Sequence, residues 1–231
     1  MTRLFDLPTA PLVPVTGEAT QFPVHRLFCV GRNYAAHAAE MGSDVDREAP
    51  FYFTKSPASV ALSGQILPYP PGTSNYHHEM ELAVYLGGDA FRVSEADAMD
   101  AVFGYGCALD MTRRDLQGQA KDKRRPWDLG KDVEGSGILA PLTRAGAFGT
   151  PKDQRIWLEV NGEARQDASL AELIHSVPAV IADLSKYYHL RAGDVILTGT
   201  PAGVGSVQPG DVLRGGIDGL EEISLTIGAP E

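Results

Sequence analysis

Apolar positions along the chain fall mostly at a period of two, in short runs broken by glycine and proline. The segment His25–Val30 is a β-prone run, and FYFTKSP is another that ends at Pro57. In HHEMELAVYLGG the alternation sends Met80, Leu82, Val84 and Leu86 to one strand face, with Glu79, Glu81 and Ala83 on the other. GYGCALDM reads as a strand that closes on Asp110, and IWLEV-NG-EARQ as a hairpin turning at Asn161-Gly162. DVILTGTP and DVLRGGIDGLEEISLTIG supply further strands.

A period nearer 3.6 occurs in few places. GRNYAAHAAEMG predicts a helix capped by Asn33 and stopped by Gly42. Ser94 and Asp97 form an S-x-x-D start for a short helix. TRRDLQGQAKDKRRPW predicts a short helix and a basic loop, and Leu170 to Tyr188 a helical stretch divided at Pro178. Residues 63–74, with three prolines and two glycines, read as a loop. The expected class is α+β, mostly β. Residues 1–22, rich in Pro and Thr, read as an irregular arm before one domain over 23–231.

Composition narrows the function. The 231 residues carry a net charge of −10, which disfavours nucleic acid and anionic membranes as partners. Two cysteines, Cys29 and Cys107, are too few for a disulfide scaffold or a zinc ribbon, and both suit a reducing compartment. The N-terminal segment is broken by Pro8, Pro11 and Pro14, so the expectation is a cytoplasmic protein. Nucleotide-binding loops and the G-x-S-x-G elbow have no counterpart.

The chemistry on offer is acidic. Glu79 and Glu81, two apart on a strand, point to one side, and Asp110 closes another strand. Three carboxylates without a thiolate make a hard oxygen site, better matched to Mg²⁺ or Mn²⁺ than to zinc. A strand face with unrelated solvated acids would give the same pattern. His77 and His78 are adjacent, so only one can support a carboxylate from a regular strand. His37 and Glu40 share a helix face, as a carboxylate-held general base requires and as an exposed i,i+3 pair also would. Lys131 follows the basic loop in PWDLGK, and Lys55 ends the FYFTK run; a solvated surface lysine is the plain reading of each. Thr198-Gly199-Thr200 is either an anion-binding turn or simply the end of a strand.

Taken together, CVGRNYAAHAAEMG, YHHEMELAV, GYGCALDMTRRDLQ, RPWDLGK, LEVNGEARQ and DVILTGTPAGVG resemble the fumarylacetoacetate hydrolase family from about Phe22 to Ile227. FPVHR, MTRRDLQ and GGIDGL bring the likeness nearest to its acylpyruvate-cleaving branch. The resemblance implies a mixed β-sandwich roll, a homodimer and a divalent metal (Mg²⁺ or Mn²⁺) on Glu79, Glu81 and Asp110. It implies a catalytic dyad of His37 and Glu40 on a lid helix, a catalytic Lys131, and substrate contacts from Arg32, Gln117 and Thr200. The expected activity is hydrolysis of the C–C bond of a small-molecule 3-acylpyruvate such as fumarylpyruvate, as in gentisate-type aromatic catabolism. Oxaloacetate decarboxylation or tautomerisation, and a silent metal-binding homologue, are the alternatives. The chain departs from the family in two places. Asp132–Ile138 replaces a segment that usually carries Phe and Pro, and Lys55-Ser56-Pro57 stands where Lys-Pro is usual.

Overall fold

The computed structural model describes Leu4, Asp6 and residues 8–42 and 49–231. An eight-stranded curled sheet runs in the order 51–55, 26–31, 194–197, 80–86, 102–110, 137–139 and 60–62, with Thr143–Arg144 paired beside Val102–Asp110. A five-stranded sheet, ordered 163–169, 155–160, 212–217, 223–230 and 66–69, faces it. A small third sheet joins 112–113, 76–78 and 205–207. This is the expected mixed β roll.

Strand Met80–Leu86 is buried along its whole length, and its alternation serves two cores. Met80, Leu82, Val84 and Leu86 point into the larger cluster between the sheets, with Ile156, Leu158 and Leu213. Ala83 and Tyr85 point into a second cluster with Leu27, Cys29 and Leu197. A one-residue slip would exchange these faces, so the register that carries the acids is fixed by apolar packing on both sides. Each fully buried large aliphatic chain contributes about 1.5–3 kcal/mol to that preference.

Several elements match the sequence reading closely. The helix around His37 spans Ala35–Glu40, and Ser94 Oγ accepts from the Asp97 amide at the head of Glu95–Ala98. Asn161 and Gly162 both take positive φ, the geometry a two-residue hairpin turn demands. Pro178 sits in the first turn of Val177–Leu184, where its missing N–H costs nothing.

Three elements differ. Ile66–Tyr69, read as loop, is an edge strand parallel to Ile223–Pro230, and the edge tolerates Pro68. Within the N-terminal arm, Leu12–Pro14 pairs antiparallel with Gln21–Pro23, and Val13, Val15 and Phe22 are buried in the second core. Asn33 does not cap the helix after it; Tyr34 holds that position without a side-chain bond. The Asn33 amide instead donates to the carbonyls of His175 and Thr198 and accepts from the His175 N–H, tying three loops together. No helix among the described residues is long and apolar enough to cross a membrane.

Candidate active site

Three chain segments pass from the large sheet into the small one at the same level. Strand Tyr76–His78 gives way to Met80–Leu86 through Glu79; Val102–Asp110 gives way to Thr112–Arg113 through Met111; Asp194–Leu197 leads through Thr198–Pro201 towards Gly205–Val207. The Asp110 amide donates to the Glu79 carbonyl at 2.9 Å, which clamps the first two crossings together. Glu79 therefore lies at a junction between strands, where the sequence pattern had placed it on a regular strand face. The spacing still works: one carboxylate oxygen each from Glu79, Glu81 and Asp110 lies within 4.8 Å of the others, and all three side chains are buried. Buried oxygen donors this close, with no thiolate or imidazole among them, fit a hard divalent cation.

Three cations face the acids. Lys131 Nζ donates to Glu79 Oε2 at 2.6 Å, to Asp110 Oδ2 at 2.7 Å and to Thr112 Oγ1 at 2.7 Å. Arg114 Nη2 pairs with Glu79 Oε1. Lys55 Nζ lies 3.0 Å from Asp110 Oδ1, without the angle of a hydrogen bond, and donates to the Met111 carbonyl, the Lys131 carbonyl and Ser136 Oγ. Burial alone would drive the Lys131 ammonium down, but Asp110 and Glu79 hold it above its usual value. Burial likewise favours a neutral Glu79, and Lys131 and Arg114 overcome it, so its carboxyl stays well below the usual range. Glu81 goes the other way. Burial first, then the charges of Asp110 and Glu79, push it far up, and its nearest support is the Gly199 N–H at 2.6 Å from Oε2. An acid pushed toward its neutral form by burial and by anionic neighbours is one that a bound divalent cation would release to ligate.

The helix Ala35–Glu40 closes one side. His37 Nδ1 lies 3.2 Å from Glu40 Oε2, and the Gly203 amide donates to both Glu40 oxygens at 3.2 and 3.3 Å, which docks the helix onto the loop after Thr200. With Glu40 accepting from Nδ1–H, Nε2 is left as the basic nitrogen. Burial lowers the affinity of His37 for a proton, so the neutral imidazole is favoured. His37, Arg32, Gln117, Lys131 and Thr200 all line one cavity with the three acids, about 420 Å³ including its open mouth. The expected metal ligands, His37, Lys131 and the three expected substrate contacts thus share one cavity, with Glu40 behind His37. Gln117 accepts from Arg114 Nη1 at 2.6 Å, and Thr200 accepts from Gln166 Nε2 at 2.8 Å. Arg32, at a φ of 58°, reaches none of the acids; its guanidinium sits 5.9 and 6.0 Å from the rings of Phe51 and Trp127.

Several participants escaped the sequence reading or changed place in it. Arg114 is the missed cation, recognisable only as the second arginine of MTRRDLQ. Gln166, in the hairpin strand Glu163–Ser169, holds Thr200 and also accepts from the Met80 amide, a long-range contact with no local signature. His77 accepts from Arg114 Nε at 3.4 Å and so stands behind Glu79, whereas His78 turns away to Gln166. Ser56 and Asp132, the two places where the chain departs from the family pattern, meet: the Ser56 N–H and Oγ–H both donate to Asp132 Oδ1 at 2.9 Å. That contact joins the residue after Lys55 to the residue after Lys131. Phe53, 4.8 Å from Lys131 Nζ, provides an aromatic wall beside the ammonium.

The curled mixed sheet, with its buried three-acid cluster beneath a short helix, defines a class of enzymes built on a β roll. Residues 26–227 match the family described as fumarylacetoacetate (FAA) hydrolase C-terminal, and the chain belongs to that family. A fumarylpyruvate hydrolase of Ralstonia sp is 50% identical over 193 residues, covering 83% of this chain and all of the relative. The mitochondrial oxaloacetate tautomerase FAHD1 of Bos taurus is 42% identical over 205 residues, 89% of this chain and 92% of the relative. Among solved structures, fumarylpyruvate hydrolase from Pseudomonas aeruginosa in complex with Mn²⁺ and pyruvate superposes with a TM-score of 0.95 at 42% identity, over 99% of this chain and 100% of the other.

Proposed function

We propose that this chain hydrolyses the C–C bond of a 3-acylpyruvate, with fumarylpyruvate converted to fumarate and pyruvate. The carrying observation is the convergence, in one cavity, of a Glu40-held His37 with the Glu79, Glu81 and Asp110 cluster. The likeness to fumarylpyruvate hydrolases supports the choice of substrate. A divalent ion, Mg²⁺ or Mn²⁺, held by the three acids would supply a Lewis acid at the 2-keto end, where the electrons of the broken bond collect.

The residues divide the work. His37 Nε2 takes a proton from water while Glu40 keeps Nδ1 protonated and the ring fixed. The resulting hydroxide adds to the distal acyl carbonyl. Collapse of the tetrahedral adduct breaks the C–C bond and leaves the pyruvate half as an enolate, which receives a proton to become pyruvate. Lys131 lies where negative charge develops and stabilises it. Gln117 and Thr200, set in place by Arg114 and Gln166, present polar groups to the keto acid end.

Oxaloacetate tautomerisation or decarboxylation is the second reading, favoured by the 42% identity to the tautomerase. It needs no attacking water. His37→Ala is expected to cost acylpyruvate cleavage about 10²–10⁴-fold, the usual worth of a general base, and oxaloacetate decarboxylation distinctly less. Pyruvate release from fumarylpyruvate and from oxaloacetate, with loss of the oxaloacetate enol absorbance followed beside it because tautomerisation frees no pyruvate, decides the matter when run with Mn²⁺ and after chelation. Brisk oxaloacetate turnover with fumarylpyruvate and acetylpyruvate untouched would overturn the hydrolase reading.

A further inference from the structure

Arg114, Gln117 and Lys121 fall at i, i+3 and i+7 of the helix Arg114–Asp122, and all three line the cavity. The row begins at the acids, where Arg114 pairs with Glu79, and continues outward through Gln117 to Lys121. At its outer end stands Arg32, whose charge and that of Arg114 both oppose the Lys121 ammonium, with burial the first cause of its lowered proton affinity. Among the described residues, the side chains of Lys121 and Arg32 make neither an ion pair nor a hydrogen bond, and Arg32 meets only aromatic rings. Mutually repelling cations gathered at one cavity, in a chain of net charge −10, are costly unless an anion joins them.

The cavity also has an aromatic side. Phe53 lies beside Lys131, its ring 6.0 Å from that of Trp127, and Arg32 lies beyond Trp127. This arrangement suits a planar, conjugated arm that starts at the acids and ends in negative charge.

We propose that Lys121, together with Arg32, forms a subsite for a terminal carboxylate on the acyl arm, and that Lys121 is the residue selecting dicarboxylic over monocarboxylic 2-keto acids. The proposal rests on the acylpyruvate reading for its orientation, with the pyruvoyl end at the acids. It moves Arg32 from the keto acid end, where the family resemblance would put it, to the opposite end of the ligand.

The test compares 2-oxoheptanedioate with 2-oxoheptanoate, which share the pyruvoyl end, lack the cleavable carbonyl and differ only in the terminal carboxylate. Calorimetry on the Mn²⁺-loaded protein should show wild type binding the diacid about tenfold or more tighter, the worth of one charge-assisted hydrogen bond. Lys121→Met should erase that preference and leave 2-oxoheptanoate binding unchanged, and Lys121→Arg should restore it. In turnover, Lys121→Met should raise KM for fumarylpyruvate and spare acetylpyruvate. Equal binding of the two acids by wild type, or equal losses on both by Lys121→Met, would overturn the subsite while leaving the hydrolase reading intact. If neither acylpyruvate is cleaved but the diacid preference and its dependence on Lys121 persist, the subsite stands and the reaction assignment falls.

Discussion

Replacing Lys131 by methionine should expose how far the site depends on a cation between its acids. The ammonium is buried and bridges Glu79 and Asp110 at 2.6 and 2.7 Å. Methionine keeps most of the stem and leaves the carboxylates facing one another without it. Removing one partner of a buried ion pair typically costs about 3–5 kcal/mol. Arg114 still holds Glu79, and Lys55 still faces Asp110 at 3.0 Å, so the lower end applies, about 3 kcal/mol. For a chain of this size that is a fall of about 6–12 °C in Tm. The measurement is a thermal melt of wild type and Lys131→Met, each after exhaustive chelation and again with saturating Mn²⁺. A divalent ion should replace the missing charge, so the gap between the proteins should narrow on loading, while hydrolysis stays lost. A metal-free gap under about 2 °C, smaller than 1 kcal/mol would produce, would refute the pairing argument. So would a gap that does not close with metal.

Two further outcomes follow from the same geometry. His37 is held below its ordinary value by burial, so the acid limb of kcat/KM should lie below about pH 6.5, and a nearby divalent cation pushes it the same way. The stability linked to His37 is complete above that pH and declines as pH falls, because the unfolded chain takes up the proton first; a limb at or above 6.5 would count against a buried neutral base. Gly199→Ala should lower stability by about 1–3 kcal/mol through strain at its φ of +96° and weaken Mn²⁺ binding, since a Cβ there would lie 2.8 Å from Asn33 Cβ and 3.0 Å from the Val30 carbonyl, displacing the N–H that holds Glu81. Urea midpoints and calorimetric metal titration check both effects, and a variant matching wild type in the two would disprove them.

What could be read from the residues was what the chain writes locally. Alternation located Met80–Leu86 and Val102–Asp110, and spacing on one element paired His37 with Glu40. Polar groups serving a distant loop leave no local trace. Asn33 looks like a helix cap until His175, 142 residues away, takes its amide. Glu40 looks like half of a surface pair until the Gly203 amide, 163 residues away, docks onto it. Proline misled at Ile66–Tyr69, because it forbids a central strand and permits an edge. Lys55, a surface residue by base expectation, is almost fully buried since Asp110 and the carbonyls of Met111 and Lys131 converge on it.

The crossing of three segments between sheets has a consequence for how such an enzyme can diversify. The acids and their clamp sit where backbone pairing on two sheets fixes every residue, so an insertion or deletion in 76–86 or 102–113 would shift partners in both sheets at once. The helices Ala35–Glu40 and Arg114–Asp122 hang from the rim of that seam and answer to few such pairings. Side chains such as Lys121 can be exchanged there without disturbing a strand register. Exchanges at such rim positions leave the strand registers that carry the acids in place, so proteins that share one acid cluster can part ways over what they accept.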